Sequence, residues 1–481
     1  MRRLLALCAL MVGAGALVAP PAGAALPPVG HVFVVFLENK NYVETFSANT
    51  DAPYFANDLA KRGQLLTQYY GIGHLSLDNY IATLSGQGPN PQTQADCQRY
   101  SDFLGPPGLD SDGQALGEGC VYPTAVKTLA DQLAARGLGW KGYMQDMGTA
   151  CRHPAINGAD DTQSARVGDE YAARHNPFVY FHSIIDSPDC ARNDVPLAAL
   201  DADLASVDTT PAFSFITPNL CEDGHDSPCV DGRPGGLKSA DAWLQTWIPK
   251  ILASPAFQRD GMLVVTFDEA ESGPPSSDAS ACCNEPIGPN TPNNGGPVPG
   301  QGGGRIGGVV VSPFVQAGSV NPTAYNHYAL LRTFEDLFGV AHLGFAGRAG
   351  LKPFGGDVFA NAATPTPPVP AGTAGGGSGG GGSGGGSGGS ASAAPCPTAA
   401  AATYARAAVR PRGSGFRVSL ALRGARTASV TLTRLSGAVA ARRAAAGGGF
   451  SWTPPVPDGV YVLRLAARRE SGGVSVRRLP V

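Results

Sequence analysis

Two hydrophobic rhythms run along this chain. Short unbroken apolar runs rich in β-branched and aromatic residues occur at His31–Leu37 (HVFVVFL), Phe213–Thr217, 262–267 (MLVVTF) and 308–312. Runs of this kind read as strands covered on both faces. Trp140–Met144 reads as a shorter strand. Between them the apolar positions recur at helical spacing. Leu77, Tyr80, Ile81 and Leu84 fall at i, i+3, i+4 and i+7, and Ser76 stands at the first turn of that pattern. Residues 54–63, 124–136, 238–253 and 325–338 carry the same period, most clearly where Trp243, Leu244, Trp247, Ile248 and Ile251 share a face. Strands alternating with helices predict an α/β fold, a doubly wound and mostly parallel sheet.

The rhythm fails at both ends. Met1-Arg2-Arg3, an apolar run from Leu4 to Val18 and Ala22-Gly23-Ala24 form a secretory signal over residues 1–24. Residues 25–362 then hold the α/β unit. A Pro-rich and Gly/Ser-rich tract, residues 363–395, can bury nothing and reads as a flexible linker. Residues 396–481 alternate like antiparallel strands and predict a small all-β sandwich. That unit carries fourteen Arg and no Lys against Asp458 and Glu470, which fits either an ordinary surface or contact with an anionic envelope.

Composition narrows the partners and the compartment. A net charge of −3 argues against a nucleic-acid partner. Beyond the leader no run is long and apolar enough to span a bilayer, so a secreted protein is expected. Nine cysteines remain after Cys8 leaves with the signal, none in a C-x-x-C pair, so disulfides are expected over structural zinc. Cys97 with Cys120, Cys151 with Cys190 and Cys221 with Cys229 are neighbours in sequence, though connectivity stays open. The odd cysteine is either free or paired between chains.

Three apolar strands stop at polar groups: Glu38-Asn39, Asn219 through His225, and Asp268-Glu269. In an open α/β sheet the carboxyl ends of the strands share one rim, where ligands bind. Carboxylates, a carboxamide and histidines beside a serine suit a divalent metal and phosphoryl chemistry. Each piece has a plain alternative. A serine at a helix start is a common N-cap, an acidic pair caps helices, His225 fits a solvated loop and His327 a packing role.

Six blocks in order carry a resemblance. They are V-x-x-x-E-N (Val34 to Asn39), H-x-S-x-x-N-Y-x-x-x-x-S-G (His74 to Gly86), P-N…H-D (Pro218 to Asp226), D-A-W-L from Asp241, V-T-x-D-E (Val265 to Glu269) and Y-x-H-x-x-L-L-R-T-x-E-D-L-F-G from Tyr325. The chain resembles, over roughly residues 31–350, the phosphoesterase family that joins secreted bacterial acid phosphatases with phospholipases C, in the alkaline-phosphatase-like superfamily. The resemblance implies Ser76 as a nucleophile forming a phosphoserine and Asn79 as a phosphate contact. It implies Glu38, Asn39, Asp268 and Glu269 as the shell of one or two divalent ions. His225 and His327 would stand near the leaving group, as ligands of a second metal or as acid/base and phosphate contacts, with the leaving alcohol protonated by His225 or by water. His74 would lie beside the nucleophile, against the substrate. Asp78 stands where such acid phosphatases usually have proline, adding negative charge near the phosphate, and residues 272–304 form an unusually long loop, a candidate lid.

The expectation is therefore a secreted, metal-dependent phosphomonoesterase acting on a phosphate ester substrate. A phospholipase C-type phosphodiesterase is the nearest alternative, although Lys40-Asn41-Tyr42 after Glu38-Asn39 departs from the E-N-R-S-F of that branch. A serine esterase would want G-x-S-x-G, which Ser76 lacks. A non-enzymatic alternative is an envelope-binding protein with an inactive first domain.

Overall fold

The computed structural model describes residues 26–360, except 274, 275 and 299, together with the backbone of seven strands between Tyr404 and Pro480. The expected signal, the linker and Cys396 lie outside the described residues. The chain divides into units 1–367 and 368–481.

In the first unit, eight strands form one mixed sheet: β1 (His31–Leu37), β2 (Gln64–Tyr70), β3 (Trp140–Met144), β4 (Asp194–Pro196), β5 (Phe213–Thr217), β6 (Gly261–Phe267), β7 (Gly308–Val311) and β8 (Ser319–Asn326). Their spatial order is β4-β3-β5-β1-β6-β7-β2-β8. Every neighbouring pair runs parallel except the two that β7 makes, with β6 and with β2. β1, β5 and β6 are buried at every position, which is why those segments show no polar alternation.

The order places the chemistry. β5, β1 and β6 are adjacent, so the three polar strand ends share one rim. β7 begins at that rim, with Gly308 opposite Thr266 near the end of β6. Its reversal explains the long excursion after Asp268: the chain leaves β6 at the rim and re-enters the sheet there.

Among the described residues four disulfides close loops: Cys97–Cys120, Cys151–Cys190, Cys221–Cys229 and the adjacent pair Cys282–Cys283. No helix among the described residues is long and apolar enough to cross a membrane. In the second unit the seven strands pair antiparallel into a three-stranded and a four-stranded sheet.

Candidate active site

Glu38 is the hub. It follows the last residue of β1, is wholly buried, and its Oε2 accepts the Ser76 hydroxyl at 2.8 Å. Its Oε1 accepts the Tyr80 phenol at 2.5 Å. Ser76 is the first residue of the helix Ser76–Ser85, and Tyr80 lies one turn further on the same helix. A helix N-terminus presents unpaired N–H groups and the positive end of the dipole, an environment suited to an oxygen that gains negative charge. One of those N–H groups, on Leu77, is met at 3.0 Å by the carboxylate of Asp96.

β6 supplies Asp268 and Glu269, both buried. Asp268 Oδ1 accepts the Asn39 backbone N–H at 3.0 Å. Asn39 holds a left-handed φ of 56°, a conformation non-glycine residues rarely take, and it tucks the turn after β1 against β6. The Glu38 N–H is in turn held by the Asp223 carbonyl at 2.9 Å, which locks the β1 and β5 ends together.

His225 follows β5. Its Nδ1 pairs with Asp226 Oδ1 at 2.7 Å, while its Nε2 lies 3.1 Å from Arg174 Nη2. A guanidinium only donates, so Nε2 accepts and the ring proton sits on Nδ1. His225 is also the site's link to solvent, its side chain 31% exposed while Ser76 is only 2% exposed.

The other expected residues stand close by with their polar atoms engaged. The Asn79 carboxamide accepts N–H groups of Ile72 at 2.7 Å and Gly73 at 3.2 Å, and donates to the carbonyls of Gly73 and Leu75 at 3.0 and 3.2 Å. It fastens the turn that delivers Ser76. His327 lies beneath the rim, with Nε2 on the Asp268 carbonyl at 2.6 Å and Nδ1 near the Tyr69 hydroxyl at 3.2 Å. Burial holds its pKa down at about 4, so the neutral ring supports the β6 end. His74 faces Glu269 Oε2 through Nδ1 and the Asp278 carbonyl through Nε2 at 3.0 Å. Asp78 is buried, and burial together with Asp96, Asp268 and Glu285 pushes its carboxyl well up.

Four participants escape a reading by strand ends. Arg174 and His175 lie in a short 3₁₀ turn, Ala173–His175, with no apolar rhythm around it. The local hint is the run Arg174-His175-Asn176-Pro177-Phe178, in which two chemistry-bearing side chains enter a buried aromatic segment. His175 reaches Glu38 Oε2 through Nε2 at 3.3 Å and Asp223 Oδ2 through Nδ1 at 3.1 Å, and its ring stacks on Tyr80. Asp96 precedes Cys97 in a loop. Asp223 sits inside the Pro218–Asp226 block but does not stand out from its neighbours in sequence.

This donor set fits a cation. Glu38, Asp268 and Asp223 all have carboxyls raised, by burial first and, for Glu38 and Asp223, further by neighbouring carboxylates, so the cluster lacks compensating positive charge. Asp268 Oδ2 is buried without a hydrogen-bond partner, while Glu269 Oε2 and His175 Nε2 each face a single ionisable group, His74 Nδ1 and Glu38 Oε2. Burial, with Arg174 and His225 adding to it, pushes the His175 pKa well down, toward the neutral ring. A neutral imidazole has one N–H, yet two carboxylate oxygens face the ring. Ligand atoms of Glu38, His175 and Asp223 all lie within 4.8 Å of one another. Mixed oxygen and imidazole donors suit several divalent ions.

The Phosphoesterase family model matches residues 29–341. The chain belongs to the Phosphoesterase family. An acid phosphatase of Aspergillus fumigatus is 27% identical over 237 residues, 49% of this chain and 44% of that protein. A phosphatidylinositol-3-phosphatase of Mycobacterium tuberculosis is 26% identical over 328 residues, 68% of this chain and 83% of that protein. A solved structure of an alkaline phosphatase superfamily protein from Vibrio parahaemolyticus overlays with TM-score 0.40 and 11% identity, covering 94% of this chain and 82% of that one. The chain spans between 44% and 59% of the length of the fungal acid phosphatases it matches.

Proposed function

We propose that this phosphoesterase is a secreted, metal-dependent phosphomonoesterase of the acid phosphatase type, acting through a phosphoserine at Ser76. The observation that carries the reading is the Ser76 hydroxyl, first in its helix and donating to buried Glu38 at 2.8 Å. The acid phosphatase and phosphatidylinositol-3-phosphatase relatives support phosphate esters as substrates.

In this reading Glu38, Asn39, Asp268 and Glu269 hold the metal, with His175 and Asp223 completing the shell toward β5. When bound, the ion offsets phosphate charge and lowers the pKa of a hydroxyl. The chain itself does the rest. Glu38 orients the Ser76 hydroxyl and accepts its proton as Oγ attacks phosphorus. The helix start offers N–H donors where negative charge gathers. His225, exposed at the mouth and held by Asp226, faces the leaving group. Its two ring nitrogens are engaged by Asp226 and Arg174, so a water at the mouth protonates the leaving alcohol. The hydroxide left behind attacks the phosphoserine, and Glu38 returns its proton to Ser76 Oγ as phosphate leaves. His74, Asn79 and His327 position the Ser76 turn and the β6 end. The four disulfides fit an exported protein, and the C-terminal strands fit a small β-sandwich whose arginines suit an anionic envelope.

The test is turnover of p-nitrophenyl phosphate and a phosphoinositide by the full chain, before and after chelation, with Ser76→Ala alongside. Chelation should abolish activity and a divalent ion restore it. Ser76→Ala should lose about a thousandfold or more in kcat. Retention of more than a few per cent of activity by Ser76→Ala would remove the assignment.

A further inference from the structure

A phosphate monoester brings up to two negative charges into a pocket already crowded with carboxylates, so a cationic side chain on the substrate side would add to what a bound ion offsets. Among the described residues two cationic side chains are buried near Ser76. Lys40 spends its ammonium on backbone carbonyls, of Asn39 at 3.1 Å and Gly224 at 2.9 Å. Arg174, 3% exposed, gives only one of its five N–H groups to a backbone carbonyl. Its Nη2 donates to His225 at 3.1 Å, its Nη1 to the Gln163 carbonyl at 3.1 Å, and its Nε lies 3.6 Å from Asp96 Oδ2. A guanidinium carries five N–H donors, so these contacts leave one free on each terminal nitrogen.

Asp96 links this group to the nucleophile. Its Oδ1 accepts the N–H of Leu77, the residue after Ser76, while its Oδ2 faces Arg174. One carboxylate thus sets the spacing between the start of the Ser76 helix and the guanidinium. The ion pair is loose and does not engage the fork of Arg174, which stays available for paired oxygens.

We propose that Arg174 binds the non-bridging oxygens of the phosphoryl group and that Asp96 is its positioning residue, a reading that rests on Ser76 being the nucleophile. His225 then plays a second part, since by accepting from Nη2 it aims the fork from the solvent side. The arrangement favours dianionic phosphate monoesters, whose three terminal oxygens can meet both the helix start and the fork.

The experiment uses the full chain with its metal, p-nitrophenyl phosphate as substrate and inorganic phosphate as competitive inhibitor. Arg174→Gln should lower kcat/KM by about 100-fold and raise the phosphate inhibition constant by about tenfold or more. Arg174→Lys, which keeps the charge but loses the fork, should fall between. Asp96→Asn should weaken phosphate inhibition less than Arg174→Gln does. A purely structural role would lower kcat and leave the phosphate inhibition constant unmoved, and that result in either Arg174 variant overturns the proposal. If Arg174→Gln does not fold, Arg174→Lys decides on the same readouts. An inactive Ser76→Ala beside an unchanged Arg174→Gln removes the clamp and leaves the nucleophile. An active Ser76→Ala removes the reading on which the clamp rests.

Discussion

Asn79 shows how much of a turn one side chain can hold together. Its carboxamide satisfies two buried N–H groups and two carbonyls in the turn before Ser76, a segment that neither strand nor helix can satisfy. The family motif marks the residue but not this duty, because a motif records identity and not the atoms it bonds. Asn79→Ala would leave the Ile72 and Gly73 N–H groups buried and unpaired. Each such group costs about 1–3 kcal/mol, so a loss of roughly 2 kcal/mol or more is expected. Urea denaturation of the two proteins measures it, and a difference under about 0.5 kcal/mol would show that the turn finds other partners.

At the scale of elements, the legible part of the site is the part that follows a strand. Glu38, Asp268 and Glu269 each follow an unbroken apolar run, and adjacency of β1, β5 and β6 brings those ends together. The mixed character of the sheet was not legible, since the 308–312 run looks alike in either direction and only the pairing of β7 decides it. Arg174 and His175 were hidden for a different reason. They arrive on an irregular segment whose position is fixed by long-range packing, as in the Tyr80–His175 ring stack, and not by local pattern.

The excursion between β6 and β7 also has a role that its glycine-rich composition conceals. It closes over the Ser76 turn so tightly that a Cβ built on Gly73 would lie 2.6 Å from the Asn294 carbonyl and 2.5 Å from Asp78. Gln94 pins that part of the loop by donating to the carbonyls of Asn293 and Asn294 at 2.8 and 2.9 Å. Gly73→Ala should therefore push the loop and the Ser76 turn apart. An error of about 1 Å near the chemistry costs about 100-fold, so kcat/KM for p-nitrophenyl phosphate should fall by that order. Activity within about threefold of the parent would mean that the excursion rides freely over the turn.

For the whole molecule, the recurring theme is carboxyls buried beyond what their partners offset, and this sets the direction of its pH response. Glu335 is the clearest case away from the metal-ligand candidates. It is buried in the helix His327–Phe338, its Oε1 accepts the Leu343 N–H at 2.7 Å, and its Oε2 has no partner. Burial, reinforced by Asp336 and only partly countered by the Leu343 N–H and by Arg332, raises its pKa from 4.5 to about 9. Between those values the folded protein keeps a proton that the unfolded chain has lost. The contribution is thus fully present below about pH 4.5 and declines as pH rises toward 9, by at most about 1.4 kcal/mol per pH unit. Asp194, raised by burial to about 7, works in the same direction over a narrower window. Glu335→Gln keeps the acceptor for Leu343 and cannot ionise. It should match the parent near pH 4.5 and exceed it increasingly toward pH 8.5, as read from urea midpoints at three pH values. Parallel curves for the two proteins would mean that water reaches Oε2 and that burial does not govern this carboxyl.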